Sequence, residues 1–216
     1  MSPINPETGC LFLYRDITVS YTHLIVWMAE FNDSSRVIAL TKSLAAFFRL
    51  SLSGGRKLIT VEDELEHVRQ YLYIQKERYE EKLNYVIDAP GNLLDYTVPK
   101  IILQPIVENS IYHGIKPLNG PGQVTITVQE EGERLIFTVT DNGVGYDPAA
   151  VTADGSPRLG SVGLKNVDER LKLYYGPEYG VTIRSAPGAG CRVRLMVGKH
   201  LPDSPIHSEQ AVRKNK

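Results

Sequence analysis

Three stretches carry the side chains best suited to chemistry: QPIVENSIYHG at residues 104–114, DNGVG at 141–145 and GSVGLKNVDERL at 160–171. Asp141 is the sharpest of these signals. Leu135, Phe137 and Val139 set the inward phase of a period-two strand, and Asp141 falls on the same phase, where an ionised carboxylate is costly without partners. The exocyclic amine of a bound adenine is one such partner; an Asx turn across Asp-Asn-Gly is the other reading of the same residues. Gly143 and Gly145 let backbone approach a ring or a phosphate with no Cβ in the way. Asn109 offers an amide oxygen to a hard cation such as Mg²⁺, which often completes its shell with phosphate oxygens and water. Glu108 beside it can act as a base, although a lone Glu-Asn pair on a helix is usually a solvated face and gains weight only from its company. His113 can contact phosphate when protonated, or simply complement the C-terminal end of its own helix dipole. Gly160 and Gly163 precede a helix whose free first amides suit an anion. The chemistry these residues suggest together is ATP binding.

Two commoner nucleotide sites are excluded. No G-x-x-x-x-G-K-[ST] occurs, so the pocket is not a P-loop, and no strand followed by G-x-G-x-x-G supports a dinucleotide fold. The 216 residues, 42% hydrophobic and 23% charged, are ordinary globular material with room for one domain and a helical appendage. A net charge of -1 removes the general electrostatic case for nucleic acid or an anionic membrane. Cys10 and Cys191 lack metal-type spacing and read as free thiols of a reducing, cytoplasmic compartment. No apolar run approaches the roughly 18 to 20 residues of a membrane span, and the N-terminus lacks a signal-peptide layout.

The elements that must position these residues follow from periodicity. Residues 1–24 show no sustained pattern. From Ile25 to Leu52, Val26, Phe31, Val37, Leu40, Leu44, Phe47 and Phe48 predict a helix broken near residues 32–35 and ended by Gly54-Gly55. Thr60 is an N-cap, with Glu62, Asp63 and Glu64 on the positive end of the dipole of a second helix. Leu65, Val68, Leu72, Gln75 and Tyr79 then give it an apolar seam. Two such helices form an antiparallel hairpin at residues 25–82, and its seam points to a homodimer, or else packs within the chain. LNYVID is a strand. In the helix that follows, Leu103, Val107 and Ile111 form a core stripe, while Pro105, Asn109 and His113 repeat on another face. QVTITVQ and RLIFTVTD form a hairpin turning at Gly132, and GVTIRSA and CRVRLMV are two further strands. Leu164, Val167, Leu171 and Tyr174 are the core stripe of the helix after Gly163. The polar loop between Gly145 and Gly160 suits a lid over nucleotide. Residues 199–216 read as a disordered tail.

The three motifs, in this order, resemble the N, G1 and G2 boxes of the ATPase fold (GHKL, or Bergerat, fold) shared by sensor histidine kinases, HSP90 chaperones, type II topoisomerases and MutL repair proteins. Within that superfamily YLYIQKERY at residues 71–79, VPKIILQPIVENSIYHGI at 98–115 and SAPGAGCRV at 185–193 are similar to the LytS/YesM-type bacterial sensor kinases. The resemblance implies an α/β two-layer sandwich with a mixed sheet, spanning residues 83–198 and preceded by the helical hairpin. Asn109 would bind Mg²⁺, Asp141 the adenine, and Gly143 and Gly145 the neighbouring wall. Gly160, Gly163 and Leu164 would lie along the phosphates, His113 would line the pocket, and Glu108 would be the catalytic acid/base. The implied partners are a response regulator and a second copy of the chain. A membrane would be reached only through segments outside this chain, with this part on the cytoplasmic side of a cell-membrane receptor. One departure stands out: such kinases carry the phosphoacceptor histidine in an I-N-P-H-F-L-Y-N stretch. Here Ile4-Asn5-Pro6 is followed by Glu7, the acceptor position falls near Asp16, and His23 is out of register. Residues 10–23 read as an interruption of the family sequence, as either a truncated or frame-disturbed start or real divergence would give.

Overall fold

The computed structural model describes residues 24–31, 33–52, 55–147 and 162–199. Residues 24–30 are helical. There follow α1 (Ser34–Leu52), β1 (Leu58–Thr60), α2 (Val61–Tyr79), β2 (Leu83–Asp88), β3 (Thr97–Pro99), α3 (Gln104–Asn109), β4 (Gly122–Glu131), β5 (Arg134–Asp141), α4 (Val162–Tyr175), β6 (Gly180–Ser185) and β7 (Cys191–Gly198). The expected break in the first helix is present, and Asp33 explains where the chain resumes: its Oδ1 accepts the Arg36 amide at 3.1 Å, capping α1. Thr60 caps α2 as its sequence predicts, its hydroxyl accepting the Asp63 amide at 3.1 Å.

The two long helices run antiparallel. Arg36 at the start of α1 pairs with Glu77 near the end of α2 at 2.9 Å, while Phe47 stacks on His67, ring centroids 4.7 Å apart. Leu65, Val68 and Leu72 are buried against this partner and the rest of one continuous core. The seam read as a dimer contact is therefore used inside the chain. Val26, Trp27, Phe31 and Ile38, on the other side of the first helices, stay exposed, with Phe31 at 68%.

Five strands form a mixed sheet in the order β2-β4-β5-β7-β6. β2 is parallel to β4 and the other pairings are antiparallel. A parallel pair needs a crossover, and here α3 lies on it, between β3 and β4. One face carries Val124, Ile126, Val128, Leu135, Phe137, Val139, Val193, Leu195 and Val197, all buried under the helices. The opposite phase carries Thr125, Thr127, Thr138, Thr140, Arg192 and Arg194, the polar face an antiparallel sheet can show to water. The fold is thus the expected two-layer α/β sandwich. A small sheet pairing β1 with β3 was not legible in the sequence, since each strand has three residues. It ties the base of α2 to the segment leading into α3, helped by the Val61 amide donating to the Tyr96 carbonyl at 2.8 Å.

Candidate nucleotide site

α3 does not end at Asn109. It continues without a break as a π-helix over Ser110–Ile115, a rare geometry that recurs at functional sites. Leu103, Ile106, Val107, Ile111 and Ile115 are buried and anchor it. Ser110 and Gly114, four residues apart on the buried side, meet the end of β5. The Ser110 hydroxyl donates to the Asp141 carboxylate, and a Cβ on Gly114 would lie 2.8 Å from Asp141 Oδ1. The glycine is what lets the helix sit this close.

Asp141 is 3% exposed, on the inward phase that its strand predicts. Its Oδ1 accepts the Gly143 amide at 2.9 Å, the Asx turn of the alternative reading. The turn reading therefore holds. The turn, the Ser110 hydroxyl and the Cys191 amide supply donors, yet burial outweighs them and raises the carboxyl above its ordinary range. A further donor that reaches this carboxylate would favour its ionised form.

Gly143 and Gly145 build the wall beside it. A Cβ at Gly143 would lie 2.4 Å from the Gly114 backbone, and the Val144 amide donates to the Gly114 carbonyl at 3.1 Å. Gly145 has φ 61, and a Cβ there would run into the Ala186 carbonyl at 2.0 Å. The Gly188 amide returns the contact, donating to the Val144 carbonyl at 2.7 Å. Helix, DNGVG loop and the β6–β7 turn are thus laced by backbone.

Glu108 is half-buried one residue before Asn109. It accepts the Gln104 side-chain amide at 2.8 Å, and burial raises its carboxyl, moving it toward the range useful to a base at neutral pH. Asn109 has a buried Nδ2 with no hydrogen-bond partner, an orphan of the kind a ligand satisfies. Among the described residues no three His, Cys, Asp or Glu side chains converge as a metal cluster. A Mg²⁺ ion at Asn109 would draw most of its shell from phosphate and water, which fits a hard cation carried on a nucleotide. His113 is exposed on the π segment. Gly163 is the second residue of α4, in the turn whose amides are free, while the Leu164 side chain is core, 4% exposed. Tyr175, not Tyr174, completes the α4 stripe. Gly160 and most of the loop expected to form a lid lie outside the described residues, as do residues 1–23 and 200–216.

Two residues escaped the sequence reading. Glu64, taken there as a dipole partner of its own helix, is fully buried and reaches across to α3. Its carboxylate accepts the amides of Ile101, Ile102 and Leu103, each at 2.8 Å. Burial pushes its carboxyl up, opposed by these amides and by the charge of Arg170. Arg170 Nη2, from α4, donates to the Ile101 carbonyl at 2.6 Å. Ile101 itself has φ 59, a conformation costing a β-branched residue on the order of 1–3 kcal/mol. The available signal was phase: Glu64 stands on the same face as Val61, Leu65 and Val68.

Comparison with known proteins places this architecture first in a class and then in a family. Residues 95–200 match the histidine kinase-, DNA gyrase B- and HSP90-like ATPases, and residues 22–83 match the histidine kinase family. The chain is 36% identical to the sensor histidine kinase BtsS of Escherichia coli over 164 residues, 76% of this chain and 28% of that one. It is 30% identical to the sensor histidine kinase YesM of Bacillus subtilis over 194 residues, 90% of this chain and 32% of the relative. It is also 30% identical to the sensor protein LytS of Streptococcus agalactiae over 152 residues, 67% of this chain and 26% of that one. The chain belongs to the sensor histidine kinase family, and it spans about a third or less of the length of these three relatives. No helix among the described residues is long and apolar enough to cross a membrane.

Proposed function

We propose that this chain is the catalytic core of a two-component receptor, binding Mg·ATP and passing the γ-phosphoryl group to a histidine and then to an aspartate of a response regulator. The observation that carries the reading is Asp141: a buried carboxylate at a strand end, raised by desolvation, flanked by a helix and a loop that glycines bring into contact. Adenine's exocyclic amine supplies the donor that favours its ionised form. Asn109 would hold Mg²⁺, and the ion would supply positive charge against that of the phosphates. The first amides of α4, at Gly163 and Leu164, cradle the phosphates; Gly160, expected beside them, lies outside the described residues. In the transfer the P–O bond to the ADP leaving group breaks as a bond to an imidazole nitrogen forms, and Glu108 takes the proton from the other ring nitrogen. Positioning and charge neutralisation supply most of the rate. The core works on the cytoplasmic side of a membrane receptor, as a homodimer.

Titration with a fluorescent ATP analogue tests the pocket. Asp141→Asn and Asn109→Ala should each weaken binding about tenfold or more, the loss of a charge-assisted contact of roughly 1.5–3 kcal/mol. Unchanged affinity in both would remove the assignment.

A second reading, an ATP-binding module without autokinase activity, rests on the acceptor position falling near Asp16. His67 is no substitute: it is buried, stacked on Phe47, with Nε2 2.8 Å from the Ser51 hydroxyl. Incubation with γ-labelled ATP separates the two. Acid-labile, alkali-stable label supports the kinase; nucleotide binding without label supports the module.

A further inference from the structure

Ile101 is gripped from two sides. Its amide is held by Glu64 of α2, its carbonyl by Arg170 of α4, and its φ of 59 is what turns the two groups toward these different helices. The next two amides, of Ile102 and Leu103, also end on Glu64. Leu103 is the N-cap of the helix that carries Glu108 and Asn109, and its side chain caps nothing. The cap is supplied instead from the hairpin. Lys100, one residue earlier, donates its ammonium to the Ser51 carbonyl of α1 at 2.5 Å, and its amide donates to the Lys57 carbonyl. Four consecutive residues, 100 to 103, are therefore bonded to the hairpin.

We propose that Glu64 and Arg170 are positioning residues for the nucleotide site: by fixing the Ile101–Leu103 amides and the Ile101 carbonyl, they set where Glu108 and Asn109 stand, and they tie that position to the placement of α2. Neither side chain need touch nucleotide. Asn109 lies six residues past Leu103, about 9 Å along the axis at about 1.5 Å per residue. A tilt or slide of the helix start is carried directly to it, and displacements of about 1 Å at a reacting centre cost on the order of 100-fold in rate. The same linkage runs in reverse, so a change of α2 against α1 reaches the helix that carries Asn109, while Asp141 keeps two donors that are not on that helix, the Gly143 and Cys191 amides.

This inference rests on the ATP reading above, and its test separates the two. Affinity for an ADP analogue is measured in EDTA, where adenine recognition at Asp141 dominates, and again with Mg²⁺, where Asn109 adds its share. In the full chain Glu64→Gln, which puts an NH2 in place of one of the two oxygens and so turns a donor toward at least one of the three backbone amides, should leave the EDTA affinity within about twofold and cut the Mg²⁺-dependent gain about tenfold. Arg170→Met should do the same, with Arg170→Lys, which keeps a donor for the Ile101 carbonyl, restoring most of the gain. Two outcomes overturn the proposal: folded variants with the full Mg²⁺ gain, or variants in which both affinities fall together with thermal stability, the mark of a merely structural role. A wild-type chain with no nucleotide affinity would sink the ATP reading instead. Hydrogen exchange across residues 104–115 without nucleotide then still decides the lock, because Glu64→Gln must speed exchange there more than in β4 and β5, and equal protection refutes it.

Discussion

Replacing Gly143 by alanine isolates the contact on which the candidate site turns. A Cβ there would stand 2.4 Å from both the carbonyl carbon and the Cα of Gly114. Ordinary contact for a Cβ begins at 3.4 Å, so loop and π segment must part by the difference, 1.0 Å. The obstacle is backbone and cannot swing aside as a side chain would. Opening the gap stretches the Val144 to Gly114 hydrogen bond from 3.1 Å past 4 Å, which breaks it. Overpacking costs about 1–3 kcal/mol and the lost bond about 1 kcal/mol. Gly143 does not have positive φ, so the penalty comes from collision alone. Gly132→Ala is the matched control: it sits at φ 60 in the β4–β5 turn with nothing within 4 Å, and costs about 1–2 kcal/mol through its backbone. Denaturation in urea and titration with a labelled ATP analogue, both well below the melting range, read the two effects. Both variants should lose stability, but only Gly143→Ala should lose nucleotide affinity, by about tenfold or more for each 1.4 kcal/mol displaced from the pocket. Wild-type stability and affinity in Gly143→Ala would refute the contact, and equal affinity losses in the two would refute its specificity.

Other expectations concern the hairpin. Burial, with the nearby charge of Lys100, lowers the His67 imidazole from 6.5 to about 4. Its stabilising share is therefore complete above pH 6.5 and is lost as pH falls toward 4, on the order of 3 kcal/mol at about 1.4 kcal/mol per pH unit. Urea midpoints at pH 7 and 4.5 should fall less in His67→Gln than in wild type, and equal slopes would count against the assignment. Trp27 and Phe31, their rings 4.9 Å apart, are exposed, and the homodimer proposed above would find an apolar face there. Phe31→Lys should shift light scattering from dimer to monomer while the fold persists, whereas a charge at the buried Leu72 should unfold the chain. A folded Phe31→Lys variant that remains dimeric would place the interface elsewhere.

What the sequence revealed was set by period and by punctuation. Asp141 was legible because a strand alternates strictly, so a carboxylate on the phase of Leu135, Phe137 and Val139 had to face inward. Thr60 was legible because capping is local. The π segment was not, since a helix that widens over Ser110–Ile115 has the same apolar spacing within its error as one that does not. Glu64 does stand in the acidic first turn of its helix, but that local explanation hides its hydrogen-bond partners, which lie 37 to 39 residues away. The seam of α2 was read correctly as apolar, but periodicity states that a face is covered and not by what.

β7 lies inside the sheet, between β5 and β6, although it is the last of these strands in chain order. The Cys191 amide that donates to Asp141 leaves the ribosome fifty residues after Asp141 itself, 191 less 141. At about 5–20 residues per second, that is a delay of roughly 2.5–10 s during which β5 keeps a bare edge. A nascent chain thus holds Asp141 without the Cys191 amide until β7 is made. A message cut short before that strand leaves β5 with an open edge, the kind of edge that pairs with other chains.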